Sequence, residues 1–223
     1  MLRHGVKALG LVATALLAGC GSGGNFTYSQ YANVMGQGFK AMFSHADVSR
    51  QTAAAIPYAS MGYRLNGGDE ALLVLATGTD DSQLWTAASH VVLQTRGGRI
   101  TQTVGLPHDL GGLGSQQNAA LPPLAAALLA PFSSGRLADF PQLAAYGVPV
   151  ACITSARRQE NISILGQSIA TMRVDESCNS SSLNWRFVNS YWLDTKTGFA
   201  WRSLQHISPD GETVETEIFR PPG

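Results

Sequence analysis

Tight, glycine-bearing turns at short intervals constrain this chain more than any other feature. Asn66-Gly67-Gly68-Asp69, Arg96-Gly97-Gly98, Gly166-Gln167, Asp194-Thr195-Lys196-Thr197-Gly198 and Pro209-Asp210-Gly211 each separate two runs of strand character. Glycine supplies the positive φ that tight hairpin loops demand, and Asn-Gly between apolar-patterned runs is a strong hairpin signal. Tyr58 to Leu65 alternates and is followed by Ala71 to Ala76; Leu84-Trp85 opens a third segment; His90 to Thr95 faces Arg99 to Val104 across a second hairpin. Val148 to Thr154, Glu160 to Leu165, Ser168 to Glu176, Trp185 to Leu193, Phe199 to Ile207 and Thr213 to Phe219 continue the series. Many short strands joined in this way predict a mainly β domain, an antiparallel barrel or sandwich.

Three stretches interrupt the strand pattern. Tyr28, Tyr31, Val34, Met35, Phe39, Met42 and Phe43 recur at helical spacing and predict an N-terminal amphipathic helix. Its aromatic stripe is expected to pack on the sheet, with a membrane or partner face as the alternative. Leu106 to Gln117 is Gly-rich, without a period, and reads as a loop. Leu121 to Phe132, Ala/Leu-rich with prolines at both ends, predicts a short helical insertion, and Gly135 to Gly147 another helical turn.

The N-terminus specifies an address. Arg3 and Lys7 precede the apolar run Ala8 to Ala18, about half the length needed to span a bilayer. Leu17-Ala18-Gly19-Cys20 then resembles the lipobox of bacterial lipoproteins, in which the Cys sulfur receives a diacylglycerol. The alternative is an ordinary signal with an incidental Cys. The expected organisation is a signal peptide over 1–19, a lipidated Cys20 with a flexible tether over 20–24, and a single β-rich domain over 25–223.

Charge argues against nucleic acid as a partner, because Lys plus Arg equals Asp plus Glu at 15 each. The charged fraction of 13% is about half the usual value, as in exported β proteins whose surfaces are polar rather than charged. Beyond Cys20 the cysteines are Cys152 and Cys178, and in an oxidising compartment such a pair is expected to form a disulfide. A metal pair or redox dithiol would want ligand neighbours or Cys-x-x-Cys spacing, and the sequence has neither.

No Gly-x-Ser-x-Gly elbow, His-Glu-x-x-His helix or Walker loop occurs, so no catalytic residue, metal ligand or cofactor is expected. His45, His90, His108 and His206 are scattered, and Asp80-Asp81 reads as a solvated turn. Trp85, Trp185, Trp192 and Trp201, with Tyr58, Tyr63 and Tyr191, are candidates for a sugar- or lipid-binding groove. Packing in the core or at a barrel rim is the plainer expectation for each. Tyr58, Trp85 and Trp192 are carried forward as the candidate ligand or partner surface.

Several pieces stand in a familiar order behind the lipobox. They are Ile56-Pro57-Tyr58-Ala59-Ser60-Met61, Arg64-Leu65-Asn66, Leu84-Trp85 and Gly97-Gly98-Arg99-Ile100. Thr103-Val104-Gly105-Leu106, Tyr191-Trp192-Leu193-Asp194, Thr197-Gly198 and Phe219-Arg220-Pro221 follow. The collinear set resembles the YjbF/GfcB family of bacterial lipoproteins, linked to group 4 capsule and other exopolysaccharide gene clusters. The resemblance implies a β-barrel-like domain, an outer-membrane lipid anchor and a role in polysaccharide production or export. It brings no catalytic residues. Gly21, in place of Asp after the lipidated Cys, points to the periplasmic face of the outer membrane. Three functions are therefore weighed: a non-enzymatic accessory factor touching secretion proteins or the polymer, a carrier of lipid or lipid-linked glycan, and a polysaccharide-modifying enzyme.

Overall fold

The computed structural model describes residues 53, 55–79, 82–116 and 120–223. Cys20, the tether, the expected amphipathic helix and Asp80-Asp81 lie outside these residues. Twelve strands follow one another: β1 (Ser60–Leu65), β2 (Ala71–Gly78), β3 (Gln83–Thr86), β4 (Val92–Arg96), β5 (Arg99–Val104), β6 (Gly112–Ser115), β7 (Phe132–Phe140), β8 (Ala145–Ile164), β9 (Gln167–Ser180), β10 (Trp185–Asp194), β11 (Ala200–His206) and β12 (Thr213–Arg220). All pair antiparallel in one sheet, ordered β5-β4-β3-β2-β1-β12-β11-β10-β9-β8-β7-β6. Every neighbour is also a neighbour in sequence except β1 and β12, whose pairing joins the two ends of the described chain. The result is an up-and-down, nearly closed barrel whose seam falls between β5 and β6.

The β4–β5 turn falls where its glycines suggest, whereas the β8–β9 turn, expected at Gly166-Gln167, lies one residue earlier. The β4–β5 loop holds Gly97 and Gly98 at φ 53° and 87°, and the β8–β9 loop holds Leu165 and Gly166 at 46° and 76°. Both are two-residue connections, with Arg96 opposite Arg99 and Ile164 opposite Gln167. Two positive φ values in succession give the loop the twist of the flanking strands. Gly98 is also required sterically: a Cβ there would sit 2.5 Å from the Ala200 Cβ.

At the seam a side chain takes over from the backbone ladder. Thr103 N–H donates to the Leu110 carbonyl at 2.9 Å, and Leu110 N–H donates to Thr103 Oγ1 at 2.9 Å. The Asp109 carboxylate accepts from the Thr103 hydroxyl (2.8 Å) and from Gly105 and Leu106 N–H (3.1 Å each). Hydrogen bonds to a carboxylate contribute more than neutral ones. Asp109→Ala is therefore expected to cost about 1–3 kcal/mol in urea unfolding. An unchanged midpoint would show that the clasp is dispensable.

Two expectations are corrected. The stretch read as a loop over Leu106 to Gln117 contains β6. Gly112-Leu113-Gly114-Ser115 has no apolar period, and its strand form is set by pairing with Arg136 to Asp139. The helical turn expected over Gly135 to Gly147 is mostly β7 and the start of β8, with helical geometry confined to a 3₁₀ turn at Pro141–Leu143. The inward residues of β7 there are Arg136, Ala138 and Phe140, so a buried arginine interrupts the apolar alternation. The helical insertion is present as a 3₁₀ segment, Leu124–Leu128. It packs on β8 and β9 and buries Leu124 and Ala127.

The lumen is layered. Cys152 of β8, Cys178 of β9 and Phe187 of β10 form one inward row, Thr154, Glu176 and Asn189 the next, and Ala156, Val174 and Tyr191 a third. The first row belongs to a large apolar cluster that includes Met61, Leu73, Trp85, Leu93 and Val150. The third belongs to a smaller one around Leu124 and Leu193. On β8–β10 a polar row therefore lies between two apolar ones.

Candidate functional site

Glu176 lies at the centre of the polar layer and is completely buried. Its Oε1 accepts from Arg99 Nε at 3.1 Å and lies 2.6 Å from Arg136 Nη2. Its Oε2 is 3.2 Å from the Tyr191 hydroxyl and 3.4 Å from Asn189 Nδ2. Arg99 reaches the opposite wall from β5 and also donates to the Pro122 carbonyl at 2.8 Å, tying down the approach to the 3₁₀ insertion. Gln205 extends the network. Its Oε1 accepts from Ile100 N–H (2.9 Å), and its Nε2 donates to the Gly98 carbonyl (2.9 Å) and to Ser203 Oγ (2.8 Å).

Burial alone would raise the pKa of Glu176. The Coulombic pull of Arg136 and Arg99, with their hydrogen bonds, outweighs burial and holds it at about 2. Burial beside that charge pushes the Tyr191 hydroxyl up, so it stays protonated. A carboxylate fixed as an anion and enclosed by two guanidiniums stabilises the fold. It does not exchange protons at neutral pH.

Above this layer the lumen holds a cavity of about 440 Å³, between β1–β4 on one side and β11–β12 on the other. That volume falls in the range of small-molecule sites. Met61, Leu75, Trp85, Phe199 and Ile218 supply apolar wall, and Thr79, Gln83, Thr95, Ser203 and Thr216 supply polar groups. Charged side chains are absent from the described lining. The polar groups are pre-set: Trp85 Nε1 donates to Thr95 Oγ1 (2.9 Å), Thr95 donates to Gln83 Oε1 (3.3 Å), and the Ser203 and Thr216 hydroxyls lie 2.7 Å apart.

The three aromatic residues expected to share a surface are separated. Trp85 is 2% exposed and lines the cavity. Tyr58 is 62% exposed just before β1. Trp192 alternates with the buried Tyr191 and Leu193, so it faces outward, between the guanidiniums of Arg173 (5.6 Å) and Arg202 (5.5 Å). Its neighbours on the outer wall neutralise one another in shared ion-pair networks. Arg202 meets Glu215 at 2.9 Å and also Glu217, Arg64 meets Glu70 at 2.8 Å, and Arg173 meets Asp175 at 2.9 Å. Of the other aromatics, Trp185 stacks on Phe187 with centroids 3.8 Å apart, and Trp201 packs edge-on to Phe199. His108 pairs with Glu212 at 3.1 Å, where the 105–110 loop meets the β11–β12 turn. His90 is exposed at a turn, and His206 is half-buried beside Phe187.

Cys152 and Cys178 are joined in a disulfide, directly opposite each other in the β8–β9 register with Cα atoms 4.1 Å apart. Arg99, Arg136, Glu176 and Gln205 are residues that sequence reasoning missed. The signal that was available for Glu176 is its parity with Val174 and Cys178, which puts a charge on the buried face.

Comparison with known proteins places this architecture. The family model described as "Group 4 capsule polysaccharide lipoprotein gfcB, YjbF" matches residues 36–219. The chain belongs to this family. It is 27% identical to the uncharacterized lipoprotein GfcB of Escherichia coli K12 over 211 residues, covering 92% of this chain and 94% of that one. It is 28% identical to the uncharacterized lipoprotein YjbF of the same organism over 172 residues, covering 74% and 76%. The crystal structure of the hypothetical lipoprotein YmcC from Escherichia coli K12 superposes with a TM-score of 0.71 at 22% identity, over 89% of this chain and 98% of that one. The fold is therefore shared with a solved lipoprotein. None of these relatives is named for an enzymatic activity.

Proposed function

We propose that this chain is a lipid-anchored protein of the outer membrane, facing the periplasm, that acts as a non-enzymatic accessory factor in capsule or exopolysaccharide production or export. Membership of a family described by capsule polysaccharide carries the reading. The Leu17-Ala18-Gly19-Cys20 lipobox supports the anchor. The state of two buried carboxylates, Glu176 and Asp175, supports a non-catalytic role. Glu176 is sealed between arginines, and Asp175, which burial would raise, is lowered by hydrogen bonds from Arg173 and Ser190. Its partners on this reading are secretion proteins or the polymer itself. Carriage of a lipid-linked glycan is the second reading, favoured by the lumen cavity.

Deletion of the gene is expected to reduce exported polymer severalfold, with restoration by the wild-type chain. Cys20→Ala is expected to lose the membrane fraction and to fail in complementation. Normal polymer in the deletion strain would overturn the accessory role. Outer-membrane fractionation unaffected by Cys20→Ala would overturn the anchor.

A further inference from the structure

We infer that the lumen cavity is a binding site for an uncharged saccharide of one or two rings. This rests on the polysaccharide-linked role proposed above and names the ligand class for it.

The lining excludes two other chemistries. An anionic ligand, whether uronate, phosphate or lipid headgroup, would be stripped of water with no cationic side chain to meet it, since the described lining carries none. The buried arginines Arg99 and Arg136 are spent on Glu176 in the layer below. A bare acyl chain would cover hydroxyls that still have bonding capacity, which is costly in a buried setting. Ser203 is 1% exposed and Thr216 8%. Between them they own two hydroxyl hydrogens, and their mutual 2.7 Å contact uses one. Gln205 Nε2 already donates to Ser203, so the second hydrogen is left for another acceptor. Gln83 Nε2 gives one hydrogen to the Thr79 carbonyl at 3.1 Å and keeps one. Thr95 accepts from Trp85 and retains an acceptor lone pair.

Unused donors and acceptors of both kinds thus face one volume beside Trp85, Met61 and Leu75. Sugar hydroxyls are donors and acceptors at once, and sugar rings carry apolar C–H faces. A neutral saccharide matches both halves of the wall. The polar groups hold each other in place before any ligand arrives, which lowers the ordering cost of binding.

The test uses the full lipidated chain in lauryldimethylamine oxide, a detergent without a sugar head, with methyl resonances as reporters. Maltose and lactose are titrated against glucuronate and palmitate. Either disaccharide is expected to shift the Met61, Leu75 and Ile218 methyls saturably, with a midpoint on the order of 1 mM, and to leave the outer-wall Ile153 unmoved. Leu75→Trp, which fills the cavity, and Gln83→Leu, which removes a polar wall group, are each expected to weaken binding at least tenfold. Both variants are checked for an unchanged fold by circular dichroism. Shifts with palmitate or glucuronate alone, shifts confined to Ile153, or no response to either disaccharide would each overturn the inference. A deletion strain that loses polymer while the protein binds no sugar sinks the cavity and spares the role. Binding with normal polymer in the deletion strain does the reverse.

Discussion

Glu176→Gln is expected to destabilise the protein by about 3–5 kcal/mol, the largest effect of any single substitution considered for this chain. The change removes one negative charge and leaves Arg99 and Arg136, 4% and 3% exposed, with no counter-charge among the described residues of the lumen. The loss is a property of the unpaired cations rather than of the bond itself. Replacing all three groups by Leu or Met of similar size is therefore expected to recover most of it. The pH dependence has a definite sign. Glu176 titrates at about 2 in the folded chain, below its ordinary 4.5. Its stabilisation is complete above about pH 4.5 and is lost as the pH falls towards 2, because the unfolded chain takes up the proton first. The gap corresponds to roughly 3 kcal/mol. Urea midpoints of wild type and Glu176→Gln measured between pH 2 and 5 should converge at the acid end. Parallel curves would show that the carboxylate is not the acid-sensitive element.

Removing the disulfide is the second large effect. Cys152 and Cys178 enclose a sequence separation of 26 residues, for which the chain-entropy estimate is about 3 kcal/mol. For a chain of this size that is roughly 6–12 °C in melting temperature. The doubly substituted Cys152→Ala, Cys178→Ala chain and the wild type treated with reductant should melt alike. Both thiols face the apolar layer next to Glu176, so the reduced chain keeps its packing, and the β8–β9 register persists through the pairs on either side. A melting temperature unmoved by reductant would show that the hairpin needs no covalent tie.

The hairpin of β4 and β5 around Gly97-Gly98, with clean alternation and a glycine turn, was legible in the sequence almost residue by residue. β8 was read as two strands, Val148 to Thr154 and Glu160 to Leu165, where the structure has one, and its turn as Gly166-Gln167, where it is Leu165-Gly166. What failed was the stretch in which the lumen is not apolar. In β7 the inward positions run Ser134, Arg136, Ala138, Phe140, so no two-residue period of apolar side chains was available to read. In β6, Gly112 and Gly114 carry no pattern of their own. The candidate site was hidden for a related reason. Its polar groups are Ser, Thr and Gln on strands, which in isolation look like an outer wall. Trp85 was named, but its partners Thr95 and Gln83 come from β4 and from its own strand β3, and only register brings them together. The charges at Arg99, Arg136 and Glu176 come from three strands far apart in the chain, and nothing local marks them as a cluster.

The seam has one more consequence. A sheet that ends in open strands offers a template for further strands, and proteins crowded onto one surface meet often enough to use it. Here the terminal strands are short, at six and four residues. The Ile100 amide is turned onto Gln205 and the Thr103 amide onto Leu110. Little free ladder is left for a neighbour to extend. The β5 edge therefore gives a neighbouring copy little to extend when copies of this chain are held side by side.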